Sequence, residues 1–353
     1  MERNQEESKK LQEKSKSRKR SVLIVGAGGF AGGHIAEEAL RRGLDVTAGV
    51  RHSTSRRWLS DPRLHFLELD FDNPESLAGA ISAAMEGNSG KWDWIVYNLG
   101  ATKCLSFLDF NRINYIYLKD FTTALQKAGA VPEKLLYISS LSAMGKGDEK
   151  GYTPFREDMV PAPDTRYGTS KLKAETWLAT SGIPHIIFRA TGLYGPRDRD
   201  YFLMFESIAR GFDFSVGFRR QELTFLYIDD LCRAIFDALE KSETGTTYNV
   251  SEPRTYTQKE FRSMAAEAIG RRHVFPMRLP LWMVKIACAI SEKIGVARGK
   301  PSTLNTDKYK ILAQRNWAVD TERAAAGFGF HPEIDLKEGI RRSVEWYRKE
   351  GWL

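Results

Sequence analysis

The sequence predicts an α/β protein built on a doubly wound parallel sheet, with a smaller, mostly C-terminal second lobe. Three observations predict it. From Ser21 to about Thr191, short apolar, β-branched runs alternate with helical patterns. The first run, Val22–Val25, passes directly into the glycine turn Gly26-Ala27-Gly28-Gly29-Phe30-Ala31-Gly32 and then into an amphipathic stretch. Farther along, Tyr167 and Lys171 stand four residues apart in a helical pattern, downstream of a run ending Tyr137-Ile138-Ser139-Ser140.

The strands read in order as Val22–Val25, Asp45–Val50, Leu64–Leu69, Trp94–Tyr97, Leu135–Ile138 and His185–Phe188. Helical stretches such as Gly33–Arg42 and Glu75–Ala84 lie between them. Right-handed crossovers then place helices on both faces of the sheet. Residues 21–195 form this domain. After Gly195-Pro196 the alternation loosens, and residues 196–224 and 251–330 are assigned to a substrate-binding lobe. Between them, residues 225–250 rejoin the sheet domain, entered through a return strand within Leu223–Asp230. Residues 331–353 end the chain with an amphipathic helix over Leu336–Trp352.

Composition bounds the class. At 353 residues, with 42% hydrophobic and 28% charged side chains, the chain can bury a sizeable core and reads as a soluble globular protein. Cys104, Cys232 and Cys288 are scattered without CxxC spacing, which argues against a disulfide framework or a zinc site and fits a reducing cytoplasm. The net charge is +8, and half of it comes from residues 1–20, where eight basic residues face four acidic ones. That leader lacks the apolar core of a signal peptide and reads as a solvated extension. No run reaches the ~18–20 apolar residues of a membrane span. The nearest, Leu279–Ile290, is broken by Lys285 and reads as a core or lid helix, with an interfacial membrane contact as the alternative.

A strand, a glycine turn and a helix in succession set backbone N–H groups and a helix N-terminus against a dinucleotide pyrophosphate, the Rossmann-type arrangement. Gly26, Gly28, Gly29 and Gly32 are the positions where a Cβ would block that approach, and Phe30 lies among them. The end of the second strand selects the cofactor: an acid binds a ribose 2′-hydroxyl, an arginine a 2′-phosphate. The chain has Val50-Arg51-His52 there, so Arg51 favours NADP over NAD. Asp70, after the third strand, is placed at the adenine, and Leu99 follows the fourth strand at the cofactor.

Tyr167 and Lys171 share one helix face. A phenol with a pKa of about 10 is a poor base near neutrality, and an adjacent ammonium stabilises its phenolate. Tyr167 can then exchange a proton with an alcohol oxygen while hydride moves to or from the cofactor. Ser140, at the carboxyl end of a strand, is placed to hydrogen-bond the reacting oxygen, with Ser142 as the alternative. Asn114 is placed to bridge Lys171 to water, or else is an ordinary polar helix residue.

With these pieces together, the chain resembles the extended short-chain dehydrogenases/reductases, the broad NAD-dependent epimerase/dehydratase family. The resemblance runs from Val22 to the last helix and includes Arg189-Ala-Thr-Gly-Leu-Tyr-Gly-Pro196 and Tyr227-Ile-Asp-Asp230. It implies Ser140, Tyr167 and Lys171 as the catalytic set, backbone near Thr191–Leu193 at the nicotinamide, and a homodimer. Two departures bear on the substrate. Leu141 and Ser142 stand where the family's dehydratases carry an acidic pair, which disfavours water elimination. Leu223 stands where its nucleotide-sugar epimerases carry a substrate-gripping arginine, with Arg219 and Arg220 close by. Val50-Arg51 and Asp229–Cys232 are similar to the dihydroflavonol reductase and hydroxysteroid dehydrogenase branch.

The sequence therefore favours a carbonyl reductase or dehydrogenase acting on a bulky small molecule. The first alternative is a nucleotide-sugar epimerase with retained NAD. The second is a non-catalytic NADP(H)-binding protein whose leader contacts RNA or an acidic partner; the intact Ser140, Tyr167 and Lys171 count against it, and no nucleic-acid partner is expected.

Overall fold

A computed structural model describes residues 19–87 and 91–353. Most of the basic leader, residues 1–18, lies outside the described residues. Seven parallel strands form the central sheet: β1 (Ser21–Val25), β2 (Asp45–Val50), β3 (His65–Glu68), β4 (Trp94–Tyr97), β5 (Lys134–Ile138), β6 (His185–Ala190) and β10 (Thr246–Val250). Their order is β10-β6-β5-β4-β1-β2-β3. β1, β4, β5 and β6 are buried almost throughout, as continuous apolar runs in a doubly covered parallel sheet must be. β3 sits at the edge and is largely exposed. β6 runs two residues beyond Phe188 because β10 pairs with it as far as Ala190.

Helices α1 (Phe30–Arg41) and α7 (Ile228–Lys241) pack together on one face of the sheet. On the other lie α2 (Pro74–Gly87), α4 (Tyr117–Lys127) and α5 (Arg166–Thr180), enclosing a second core with Tyr97, Phe121 and Tyr137. A short helix α3 (Phe107–Asn111) and a π turn (Arg112–Ile116) lead into α4. α1 begins three residues before its expected start. Gly32 and Gly33 fall inside it although glycine disfavours helix interiors by about 1 kcal/mol. Packing overrides propensity there, since a Cβ on Gly32 would lie 2.2 Å from the Gly26 carbonyl oxygen.

Within residues 225–250 only β10 joins the central sheet. β9 (Phe225–Tyr227) pairs instead with β7 (Gly192–Tyr194) in a separate two-stranded sheet. A third small sheet joins β8 (Phe212–Val216), which follows α6 (Phe202–Ala209), to β11 (Phe275–Leu279). Around these lie α8 (Gln258–Ile269), α9 (Leu281–Ala297), α10 (Thr306–Ala313), α11 (Glu322–Phe328) and α12 (Leu336–Lys349). α12 packs on α8, and the Tyr347 hydroxyl donates to the carbonyls of Gly195 (3.1 Å) and Asp198 (3.2 Å), closing the chain's end over the turn that follows β7.

Candidate functional site

β1 lies between β2 and β4, at the point where the strand order reverses. Open α/β sheets bind ligands at the carboxyl ends of strands there. Gly26 has a φ of +84°, and an added Cβ would lie 2.9 Å from the Leu99 nitrogen. The N–H groups of Gly26 and Ala27 both donate to the Gly49 carbonyl of β2, at 3.1 and 3.3 Å. Gly29 caps α1 without any side-chain partner, and no acidic residue lies in the first turn. A helix start of this kind suits an anion. A glycine cradle beside an uncapped helix N-terminus fits a dinucleotide pyrophosphate.

Gly28 lies against Thr54, whose hydroxyl accepts from the Arg51 N–H at 3.0 Å, so the loop carrying Arg51 borders the glycine turn. Arg56 lies over the Phe66 ring (4.2 Å), and Arg57 lies over Trp58 (4.5 Å) and pairs with Glu350 (3.0 Å). Arg51 is exposed and makes no ion pair or ring contact among the described residues. Asp70 is exposed and accepts from the Asp72 N–H at 3.1 Å. Phe30 is half-buried, its ring edge-on to His34. Thr191 and Leu193 are half-buried beyond the end of β6. Thr191 bonds Ser251 (2.9 Å), and Leu193 lies opposite Leu226 in the β7–β9 pair.

Replacing Gly26 by alanine forces a strained φ and a backbone clash together. The expected result is a stability loss of about 1–3 kcal/mol and at least about tenfold weaker cofactor binding. Denaturant titration and nicotinamide fluorescence check it; unchanged affinity would remove the turn from the cofactor site.

α5 is started by Thr165, whose hydroxyl accepts from the Gly168 N–H at 2.9 Å. This seats Tyr167 in the first turn, half-buried, with its ring 6.2 Å from that of Phe110. Burial pushes the Tyr167 phenol up to about 12, and a hydrogen bond from Ser140 pulls it partly back. One turn later Lys171 is buried. Its Nζ donates to the Ile138 carbonyl at 2.7 Å and lies 4.6 Å from the Tyr137 ring centre. Burial pulls its pKa down to about 7, against the raising influence of Glu175. Ser140 itself caps the 3-10 turn Leu141–Ala143 by accepting from the Ser142 N–H.

The buried Asn114 is tied into local structure. Its Oδ1 accepts from the Ala101 N–H (2.7 Å), and its Nδ2 donates to the Ala101 carbonyl (3.1 Å) and to Ser170 (2.9 Å). Asn114 and Lys171 converge on Gly100, where an added Cβ would lie 3.2 Å from Asn114 Oδ1 and 3.3 Å from Lys171 Nζ. Ser140, Tyr167 and Lys171 therefore stand together, and Asn114 adjoins them through the Gly100 backbone.

Sequence reasoning missed the groups that hold this cluster. Glu175, another turn along α5, forms a buried ion pair with Arg189 of β6 at 2.7 Å and accepts from Ser139. Asp307 of α10 accepts from the Tyr167 N–H (3.1 Å) and from Arg166 (3.2 Å), and Glu292 of α9 accepts from Arg166 (2.6 Å). α9 and α10 thus grip the start of the tyrosine helix. Nearby, Lys103 pairs with Asp200 at 2.5 Å, while burial lowers the pKa of Lys308, which faces Asp200, Lys103 and Asp198. Asp307 and Lys308 lie some 140 residues from Tyr167, and no spacing in the sequence joins them.

A parallel sheet that reverses order at a glycine turn, with Tyr167 and Lys171 on the helix after β5, makes this an α/β nucleotide-binding protein of the Rossmann type. The profile of the NAD dependent epimerase/dehydratase family matches residues 22–251, well over half the chain, and the chain belongs to that family, an enzyme of the extended short-chain dehydrogenase/reductase type. It is similar to a ceramide reductase from Caulobacter vibrioides, 23% identical over 94% of this chain and 96% of that protein. It is likewise similar to a UDP-N-acetyl-alpha-D-glucosaminuronate decarboxylase from Bacillus cytotoxicus, 24% identical over 94% of this chain and 98% of that one. Among solved structures, a UDP-glucose 4-epimerase from Thermus thermophilus in complex with NAD shares the fold. Its TM-score is 0.72 at 21% identity, over 93% of this chain and 99% of that one.

Proposed function

We propose that the chain moves hydride between a nicotinamide cofactor and a secondary alcohol or ketone carbon. The observation that carries this is the α5 face: Tyr167, whose phenol Ser140 influences, one turn before a buried Lys171 anchored at Ile138. When bound, the nicotinamide supplies or accepts the hydride. Tyr167 gives or takes the proton at the substrate oxygen, Ser140 orients that oxygen, and Lys171 sets the local field.

For the substrate, the relatives' names favour a nucleotide sugar with retained NAD over the reductase reading drawn from the sequence. The bulky-ketone reading keeps two supports: the ceramide reductase, similar along its whole length, and Leu223, whose backbone pairs with Tyr256 where a diphosphate-binding arginine would be needed. Arg220 is held by Glu222 and leaves Arg219 as the remaining substitute.

Denaturing the purified protein and identifying any released nucleotide separates the two. Retained NAD with interconversion of UDP- or dTDP-sugars supports the first. An exchangeable NADPH with turnover of a long-chain ketone supports the second. Failure to bind either nucleotide sinks the hydride reading.

The NADP preference is tested at Arg51. Arg51→Ala is expected to weaken NADPH binding by about 10–100-fold, the loss of charge-assisted hydrogen bonds to a 2′-phosphate. NADH affinity should move by less than about twofold, since no 2′-phosphate is lost. An equal fall for both would place Arg51 outside that contact.

A further inference from the structure

Helix α9 faces the wrong way for a core helix. Its buried seam is Val284, Cys288 and Gly295, turned toward α10. On the opposite face, Trp282, Ile286 and Ile290 are 64%, 52% and 55% exposed, at helical spacing. Of the sequence expectation of a core or lid helix, only the core part is corrected by this exposure. Pro280 joins this helix directly to β11, where Phe275 (65% exposed) lies in register with Phe212 of β8 (44%), and Phe212 stacks with Phe214. Twelve of the sixteen exposed large hydrophobic side chains among the described residues fall within 212–218 and 275–304. So concentrated an apolar surface marks a binding face.

We propose that α9 and the adjoining β8–β11 ribbon dock on the surface of an anionic lipid bilayer. Charge selects that occupant. Residues 271–300 carry seven lysines and arginines and one acid, Glu292. That acid is already engaged by Arg166 (2.6 Å) and the Thr306 N–H (2.9 Å), so the face presents cations around its apolar residues. A second copy of the chain would set this basic face against another, and the basic leader carries the same sign. Anionic headgroups complement it. Trp282 suits the headgroup level, and Lys285 and Lys293 can extend toward phosphates while their stems lie on apolar surface. No helix among the described residues is long and apolar enough to cross a membrane, so the contact lies in the interfacial plane. The same helix carries Glu292, whose ion pair with Arg166 adjoins Tyr167, so the docked face is tied mechanically to the tyrosine helix.

The test uses the full chain and vesicles alone, without cofactor or substrate, and therefore stands apart from the hydride reading. Co-sedimentation is expected with equimolar phosphatidylglycerol and phosphatidylcholine vesicles, and not with phosphatidylcholine alone. It should weaken as salt rises. The paired change Trp282→Ser with Ile286→Ser is expected to weaken binding at least about tenfold, and Lys285→Glu with Lys293→Glu about as much. Circular dichroism of each variant verifies the fold. The proposal is overturned if wild type ignores anionic vesicles, or if it binds them equally after both pairs of changes. A wild-type dimer that the Trp282/Ile286 pair dissolves, without vesicle binding, would instead assign the face to self-association.

Discussion

Tyr167→Phe is expected to lower turnover by about 10²–10⁴-fold while leaving nicotinamide cofactor affinity within about threefold, since no cofactor-binding charge is removed. The substitution removes one oxygen, and the ring keeps its place 6.2 Å from Phe110. What is lost is the hydroxyl that Ser140 addresses. With its pKa pushed up to about 12, the phenol is almost wholly protonated near neutrality and stands ready to donate. Reduction leaves Tyr167 as phenolate and oxidation begins from it, so positive charge that draws the phenol's pKa down aids both directions.

Lys171 supplies that charge only while protonated. Its pKa is lowered to about 7, so the ammonium is present below about 7 and lost above it. Reductive turnover should therefore decline as pH rises through that value, and Lys171→Met should flatten this limb. Stability follows the same group with the opposite sign. Because burial lowers the folded-state value below that of the unfolded chain, the unfolded chain binds more protons between about 7 and the ordinary lysine range. Stability should therefore rise with pH across that window. Steady-state rates and fluorescence titrations across pH test the first claim. Wild-type turnover in Tyr167→Phe would remove the phenol from the reaction.

Much of the sheet was legible because burial on both faces demands unbroken apolar runs: Trp94-Ile-Val-Tyr97 can be little else than a central strand. The glycine turn was legible for the complementary reason, that close backbone approach excludes a Cβ at Gly26 and Gly32. The β7–β9 pair was not. Three residues on each side carry too little periodicity to say which sheet they join. The apolar face of α9 was visible as a pattern, but its direction was not, because hydrophobic spacing marks a face without saying whether protein or solvent meets it. Asn114 read as a water bridge to Lys171 or an ordinary polar helix residue; its Nδ2 donates to Ala101 and Ser170, and its Oδ1 accepts from Ala101 with one lone pair to spare. Glu175 had a usable signal that went unread. It extends Tyr167 and Lys171 by one more turn on the same face, and Arg189 sits in a strand buried at every position, where a guanidinium requires a carboxylate.

That pair carries the largest expected effect on stability. Arg189 and Glu175 are 7% and 5% exposed, with nitrogens of Arg189 at 3.1 and 2.7 Å from Glu175 Oε2. Removing one partner strands a buried charge, and Glu175→Ala is expected to cost about 3–5 kcal/mol. The pair itself is a weaker stabiliser than that figure, because desolvation offsets much of its attraction. Glu175→Leu combined with Arg189→Met should therefore lose far less than the sum of its single changes, a coupling that a double-mutant cycle in denaturant measures directly. Additive losses would mean that the two side chains act only through separate packing. The conservative change Glu175→Gln probes the link to the site. It removes the carboxylate that raises the pKa of Lys171, so the pH limb assigned to that lysine should move downward, which a purely structural role for Glu175 would not produce.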